Sequence, residues 1–339
     1  MESNNINWRN EENQLNEFID KHPRGNIFQS QMMLDVYNSY RKYDPKLITL
    51  TNKGELIGMV LSVIQKEHQY LLGKYTSRAI IWGGPLVKDN RSDFLNQVLQ
   101  KYNQEISGKA IYSQFRNIWP WSEEEKKVFL SNGYSYVGHL NIIHNLTQPI
   151  DQQFLLVHKG RRKNIRRAEK LSLQFEEIFE QNQLEACLAL IEDTYKRIKL
   201  PVPDRSFFYK SFNVLGKKNI LKIFVARWHD IIIGTRMVLC YKDLIYDWYA
   251  GADNNHLNKY PNDFLPWKVM EWGSINGYKY FDFGGAGKPG IPYGVRDYKS
   301  KFGGDLVNYG RFEKVHKPFL MLLGRIGIKL YGLINDIRK

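Results

Sequence analysis

Leu47-Ile-Thr-Leu-Thr-Asn-Lys-Gly-Glu-Leu-Ile-Gly58 and Ile223-Phe-Val-Ala-Arg-Trp-His-Asp-Ile-Ile-Ile-Gly234 read as one unit written twice. Each is a β-prone run, a short polar turn and a second run entered through Ile-Gly, the pattern of a β-hairpin. The second strands run on to Ile64 and Leu239. A later landmark repeats too: one helical pattern ends at Asn132-Gly133-Tyr134 ahead of a strand over 136–143, another at Asn276-Gly277-Tyr278 ahead of a strand over 280–283. Glycine after a helix supplies the left-handed residue that closes it, and Tyr/Phe alternation opens a strand. The order helix, hairpin, strand, helix, strand therefore runs twice, with unequal spacings. It predicts an α/β chain of two related domains, residues 1–150 and 151–316, linked through a helix over 151–171 and closed by a helix over 317–339.

A chain of 339 residues with 43% hydrophobic content can bury a full core, and a 14% aromatic share excludes a disordered one. The 49 basic residues outweigh 35 acidic ones, a formal charge of +14. That balance suits a polyanionic partner: nucleic acid, a diphosphate-linked substrate or an anionic membrane surface, with plain solubility as the blander reading. Two cysteines, Cys187 and Cys240, exclude a disulfide framework and suit a reducing compartment, so the cytoplasm is the expected location. Residues 1–14 are polar and unlike a signal peptide, and no run nears the roughly 20 apolar residues of a membrane span.

Charge is densest in His158-Lys-Gly-Arg-Arg-Lys-Asn-Ile-Arg-Arg-Ala-Glu-Lys170, seven cations against Glu169. On a helix, Lys159, Lys163, Arg166, Arg167 and Lys170 share one face while Phe154, Ile165 and Ala168 line another, so a phosphate-binding stripe is expected beside the alternative of a solvated face. Phe281-Asp-Phe-Gly-Gly-Ala-Gly-Lys-Pro-Gly290 is followed by Tyr293-Gly-Val-Arg-Asp-Tyr-Lys-Ser-Lys-Phe-Gly-Gly304. Gly284 and Gly285 at a strand end let backbone approach a ligand, and Arg296, Lys299 and Lys301 set cations just beyond. Near the C-terminus, Phe319, Leu322, Leu323, Ile326, Leu330, Leu333, Ile334 and Ile337 fall on one helical face, to pack onto the body or, flanked by Lys314, Lys317, Arg338 and Lys339, to lie on a membrane. His139 and His144 alternate across a strand and no Cys/His cluster exists, so no metal is expected. No Gly-x-Ser-x-Gly elbow occurs, and covalent catalysis has no support.

In the Lys-Asn-Ile-Arg-Arg-Ala-Glu-Lys run ending at Lys170, in Tyr249-Ala-Gly-Ala252, and in Asp282-Phe-Gly-Gly-Ala-Gly287 ahead of Tyr293-Gly-Val-Arg-Asp-Tyr-Lys299, the sequence resembles the FemABX family, non-ribosomal peptidyltransferases that build peptidoglycan cross-bridges. Gly83-Gly-Pro85 and the hairpin at Asn52 extend the likeness into the first half. The resemblance implies the compact form of that family: two GNAT acyltransferase domains, with the C-terminal helix returning to the first. It implies aminoacyl-tRNA as donor, a lipid- or nucleotide-linked muropeptide as acceptor, and no cofactor beyond the tRNA co-substrate. It sets Lys299 at the reacting ester as oxyanion stabiliser, Arg197 at the acceptor's diphosphate and Tyr249 in the acceptor channel. Arg116-Asn117 stands where several members carry a carboxylate, and Asp35 where some compact members carry a lysine, departures that leave an envelope sugar or capsule intermediate as the alternative acceptor.

Direct attack of a neutral amine on the acyl ester or thioester is the expected chemistry, with Asp282 and Asp297 as candidate bases or as structural partners. One rival is an acyl-CoA N-acyltransferase, although Tyr249-Ala-Gly-Ala-Asp-Asn-Asn-His256 lacks the glycine-rich, base-led loop that cradles a pyrophosphate. The other is a non-catalytic binder of nucleic acid or membrane surface, which leaves the stretch from Asp282 to Lys299 without a role.

Overall fold

The computed structural model describes residues 2–66 and 77–323 and divides into two units, residues up to 138 with those from 309, and residues 139–308. In the first unit α1 (Glu2–Lys21) and α2 (Gln31–Asn38) precede the hairpin of β1 (Tyr43–Asn52) and β2 (Glu55–Gln65). There follow β3 (Arg78–Trp82), β4 (Leu86–Val87), α3 (Ser92–Ile106), β5 (Tyr112–Arg116), α4 (Glu123–Ser131) and β6 (Ser135–Val137). The sheet order is β1-β2-β3-β5-β14-β6, with β4 beside β2 and β14 (Arg311–Val315) arriving from the end of the chain. Helix α3 crosses between the parallel strands β3 and β5, burying Leu95, Val98, Leu99, Tyr102 and Ile106 at helical spacing. Phe129 stacks on Phe312 with ring centres 4.3 Å apart, sealing β14 into this core.

The second unit begins with β7 (Leu140–Asn145), α5 (Ile150–Leu156), α6 (Lys159–Lys170), β8 (Gln174–Glu177), α7 (Gln181–Arg197) and α8 (Arg205–Leu215). The hairpin of β9 (Leu221–Trp228) and β10 (Ile231–Tyr241) leads to β11 (Leu244–Ala252), α9 (Pro261–Ile275), β12 (Tyr280–Gly285), α10 (Gly294–Ser300) and β13 (Asp305–Asn308). Its sheet runs β13-β7-β12-β11-β10-β9-β8. Phe224, Phe264, Trp267, Phe281, Phe283 and Phe302 fill the core.

The repeated Ile-Gly has a structural cause. In the first hairpin Leu50 faces Gly58 and Thr51 faces Leu56, so Ile57 is an extra residue. In the second, Ile232 faces Arg227 and Gly234 faces Ala226, so Ile233 is the extra one. Both are β-bulges at the same step of the hairpin. At each the following glycine lies under the crossing helix: a Cβ on Gly58 would come within 2.6 Å of Val98 on α3, and one on Gly234 within 2.9 Å of Pro261 on α9. Hairpin, strand, crossing helix and parallel strand thus recur as β1-β2-β3-α3-β5 and β9-β10-β11-α9-β12.

That equivalence changes several expectations. The counterpart of α9 is α3, so the Asn-Gly-Tyr after α4 is not the partner of Asn276-Gly277-Tyr278. The strand expected over 136–143 is two strands: β6 pairs with β14 in the first sheet, β7 with β12 in the second. Each half thereby gives its last strand to the other's sheet, which moves the unit boundaries from 150 and 316 to 138/139 and 308/309. Periodicity reports that a segment is a strand but not which edge it joins. The helix expected over 151–171 is broken between α5 and α6 at Val157-His158, where the His158 N–H donates to the Lys301 carbonyl at 2.8 Å and its Nδ1 accepts from Gly160 at 3.2 Å. Most of the apolar C-terminal face lies outside the described residues; in its first turn Phe319, Leu322 and Leu323 are exposed.

One contact tests the packing of β11 on α7. A Cβ at Gly251 would sit 2.5 Å from the backbone carbon and oxygen of Leu190. Gly251→Ala must push helix from strand and is expected to cost about 1–3 kcal/mol, read as a lower denaturation midpoint in urea.

Candidate active site

Strands β11 and β12 pair in parallel from Leu244 opposite Tyr280 to Tyr246 opposite Asp282, where their register ends. A bulge on each side opens the gap. Against β10, Met237 faces Tyr249 and Val238 faces Asp247, leaving Trp248 as the extra residue. Against β7, Asp282 faces Ile143 and Gly285 faces Asn141, with Gly284 inside the bulge at φ +70°, a backbone geometry that favours glycine. The carbonyls of Phe283 and Gly285 here receive the side chain of Lys299, on α10. Its Nζ donates to Phe283 at 2.5 Å and to Gly285 at 3.0 Å. An ammonium carries three N–H bonds, so one remains for a ligand.

Charges surround this lysine. Asp282 has no solvent exposure; it accepts the Gly284 N–H at 2.6 Å and the Asn141 amide at 3.3 and 3.4 Å. Burial pushes its carboxyl up to about 6. Arg236 on β10 pairs with Asp247 on β11 at 2.5 Å, their side chains 5% and 11% exposed. Burial holds Lys299 below the usual lysine range; the charges of Asp247 and Asp282 oppose that shift and Arg236 adds to it. Tyr298 donates to the Asn262 carbonyl at 2.6 Å. The guanidinium of Arg161 lies 4.7 Å from the Tyr298 ring centre and pairs with the buried Asp263, which also accepts from Asn164 at 3.1 Å.

The Asp282 shift has a testable sign. Its folded value of about 6 lies above the ordinary 3.8, so the folded state binds the proton more tightly and stability falls as pH rises from about 4 through 6, by about 3 kcal/mol. Asp282→Asn is expected to lose this fall, so urea denaturation from pH 4 to pH 8 should show the variant gaining on the wild-type chain as pH rises.

The residues singled out by sequence separate into groups. Lys299, Gly284, Gly285 and Asp282 come together at the gap. A Cβ on Gly285 would lie 2.9 Å from His139, so this strand end is packed from the other side. Arg296 does not face the gap: it donates to the carbonyls of Lys288 at 2.9 Å, Ala286 at 3.4 Å, and Ile291, lacing the glycine-rich loop together. Asp297 is exposed in the first turn of α10. Tyr249 is partly buried on β11, 5.7 Å from the ring of Tyr195 and 4.9 Å from that of Phe208. Arg197, in the last turn of α7, pairs with Asp193 at 3.2 Å. Lys159, Lys163, Arg166, Arg167 and Lys170 are all exposed along α6, while Arg161 and Asn164 pin that helix to α9. Arg116 lies 5.1 Å from the Trp82 ring, and Asp35 accepts from Gln31 at 3.0 Å.

Residues 159–300, from the start of α6 to the end of α10, match the acetyltransferase (GNAT) domain family. The crystal structure of FemX superposes with a TM-score of 0.74 over 92% of this chain and 98% of that one, at 15% identity. The fold is a FemX-like tandem GNAT fold. The FemX-like architecture is shared with a tandem GNAT protein of the clavulanic acid biosynthesis pathway, at TM-score 0.54 and 7% identity over 90% of this chain and 94% of that one. It is shared too with the C-terminal domain of a protein designated a lysylphosphatidylglycerol synthetase in Agrobacterium fabrum, at TM-score 0.60 and 13% identity over 94% and 96%. No curated protein matches by sequence. Of the two units, the second carries the charged gap; in the first, the equivalent strand β3 buries Ala79, Ile80 and Ile81.

Arg236 and Asp247 escaped the sequence reading. Their signal was present: one cation within the apolar run Ile231–Tyr241, and one acid within Leu244–Ala252. A buried charge calls for a partner, but which partner depends on strand pairing.

Proposed function

We propose that this chain is an aminoacyltransferase that moves an aminoacyl group from aminoacyl-tRNA onto an amine of a peptidoglycan or other cell-envelope precursor. The observation that carries the reading is Lys299, whose ammonium is fixed by two backbone carbonyls with one N–H to spare. When an amine attacks an ester, negative charge grows on the carbonyl oxygen, and a cation already in position stabilises it without reorganisation. Tyr249 and Arg197 are assigned to the acceptor side and Gly284 and Gly285 to close backbone approach. The exposed cations of α6, in a chain of net charge +14, are assigned to the tRNA phosphates. The FemX-like fold supports this reading, as does a neighbour named for joining lysine to a phospholipid. Action at the inner face of the membrane follows from such an acceptor; among the described residues no helix is long and apolar enough to cross a bilayer.

The acyl-CoA alternative has a specific observation against it. A pyrophosphate at the start of α9 needs free backbone N–H groups. Pro261 has none, and those of Asp263 and Phe264 both donate to the Tyr260 carbonyl, at 3.1 and 3.0 Å. The acidic side chain of Asp263 lies in the same turn. A non-catalytic binder would have no use for Lys299. The deciding experiment follows radiolabelled amino acid from charged tRNA to lipid-linked and nucleotide-linked precursors, with acyl-CoA donors in parallel. Label leaving tRNA is expected; label leaving CoA alone overturns the reading.

A further inference from the structure

We propose that Asp247 is the seat of the acceptor's amino group: its free carboxylate oxygen binds the ammonium and takes one proton from it beside Lys299. The proposal rests on the acyl-transfer reading and adds the residue that prepares the nucleophile. Asp247 Oδ2 is held by Arg236, whereas its buried Oδ1 has no hydrogen-bond partner among the described residues. A carboxylate oxygen left in that state is costly unless a ligand donates to it. The bulge at Trp248 gives Asp247 this position, and bulges serve to re-aim side chains next to reacting centres. The groups facing it are Arg236 on β10, Lys299 and Tyr298 on α10, Asp282 on β12 and Tyr195 on α7. Arg236 holds only the other oxygen, its own buried Nε being without a hydrogen-bond partner among the described residues as well, and Asp282 already accepts from Gly284 and Asn141, so Asp247 is the carboxylate with an oxygen left for an incoming cation. Tyr195 and Tyr249, packed together, form an aromatic wall suited to the carbon chain of a primary amine.

The protons balance. The bound ammonium gives one proton to Asp247 and becomes a neutral amine. Its lone pair forms the C–N bond to the ester carbon, and the oxyanion is met by Lys299. Collapse breaks the ester C–O bond; the leaving ribose oxygen takes a second proton from nitrogen, the amide keeps the third, and Asp247 releases its own to solvent.

Asp247→Asn leaves an amide oxygen for Arg236 but removes the base. Transfer from aminoacyl-tRNA to a cationic amine is expected to fall about 10²-fold or more, whereas transfer to hydroxylamine, uncharged at neutral pH, falls less than about 10-fold. Equal losses with both nucleophiles would mean that Asp247 acts only through Lys299 or the fold, and would overturn the proposal. A second measurement does not depend on the donor. Saturation-transfer NMR with propylammonium chloride should show binding to the wild-type chain and its loss in Asp247→Asn. The same loss is expected in the Arg236→Met/Asp247→Leu double variant, which leaves no unpaired buried charge. An unchanged signal in the double variant overturns the proposal. If the wild-type chain transfers nothing from either tRNA or CoA, the enzymatic reading fails and this binding result alone decides the role of Asp247.

Discussion

Lys299→Met is expected to lower aminoacyl transfer by about 10²- to 10³-fold, the loss typical of removing one oxyanion donor. Methionine keeps the length of the side chain and fills much the same space, so the helix that carries it should stay in place. The substitution also removes a buried charge held below its usual pKa range, so the melting temperature should not fall in proportion to activity. Affinity for uncharged tRNA should be unchanged, because the exposed cations assigned to its phosphates lie on α6. Single-turnover measurement of label leaving charged tRNA separates the two effects. The pH profile gives a further test: the ammonium is the active form and its pKa is depressed, so the Lys299 contribution is complete below that pKa. It is lost as pH rises through it, an alkaline limb beginning below the ordinary lysine range. Arginine at position 299 should not rescue the rate, since a planar guanidinium cannot reproduce donation to Phe283 and Gly285 together with a third bond to the substrate.

The second large effect concerns the donor. Converting Lys159, Lys163 and Lys170 to glutamine together is expected to weaken tRNA binding by on the order of 10²-fold at low salt. It should also flatten the dependence of log affinity on log salt by about 2 to 3. All three side chains are exposed, while the contacts that hold α6 come from Arg161, Asn164 and the buried Ile165 and Ala168. Stability should therefore move within about 0.5 kcal/mol. A filter-binding series across salt concentrations reads both quantities. Unchanged affinity with an unchanged slope would remove α6 from the tRNA path.

Much of this protein is legible in its sequence. The two hairpins, the Ile-Gly at each and the order of elements are local matters of turn chemistry and apolar periodicity, and they lead to a duplicated α/β chain. The basic face of α6 is legible for the same reason, because helical spacing alone sets which side chains share a side. Gly284, Gly285 and the cations Arg296, Lys299 and Lys301 beyond them could be chosen as a site because glycines beside cations are a visible local pattern, while the choice of Lys299 among them is what the family resemblance implies. The exchange of β7 and β14 between sheets was not legible, since a strand carries the same alternation whichever edge it joins. Nor could sequence tell that Arg296 laces a loop while Lys299, three residues on, reaches into the gap; that depends on the carbonyls α10 meets as it crosses the end of β12. Sequence by itself determined the repeated architecture, the positive charge and the neighbourhood of Lys299. Only the tertiary structure decided that Arg236 and Asp247, 11 positions apart on adjacent strands, form a buried pair, because register and a single bulged residue place those side chains together.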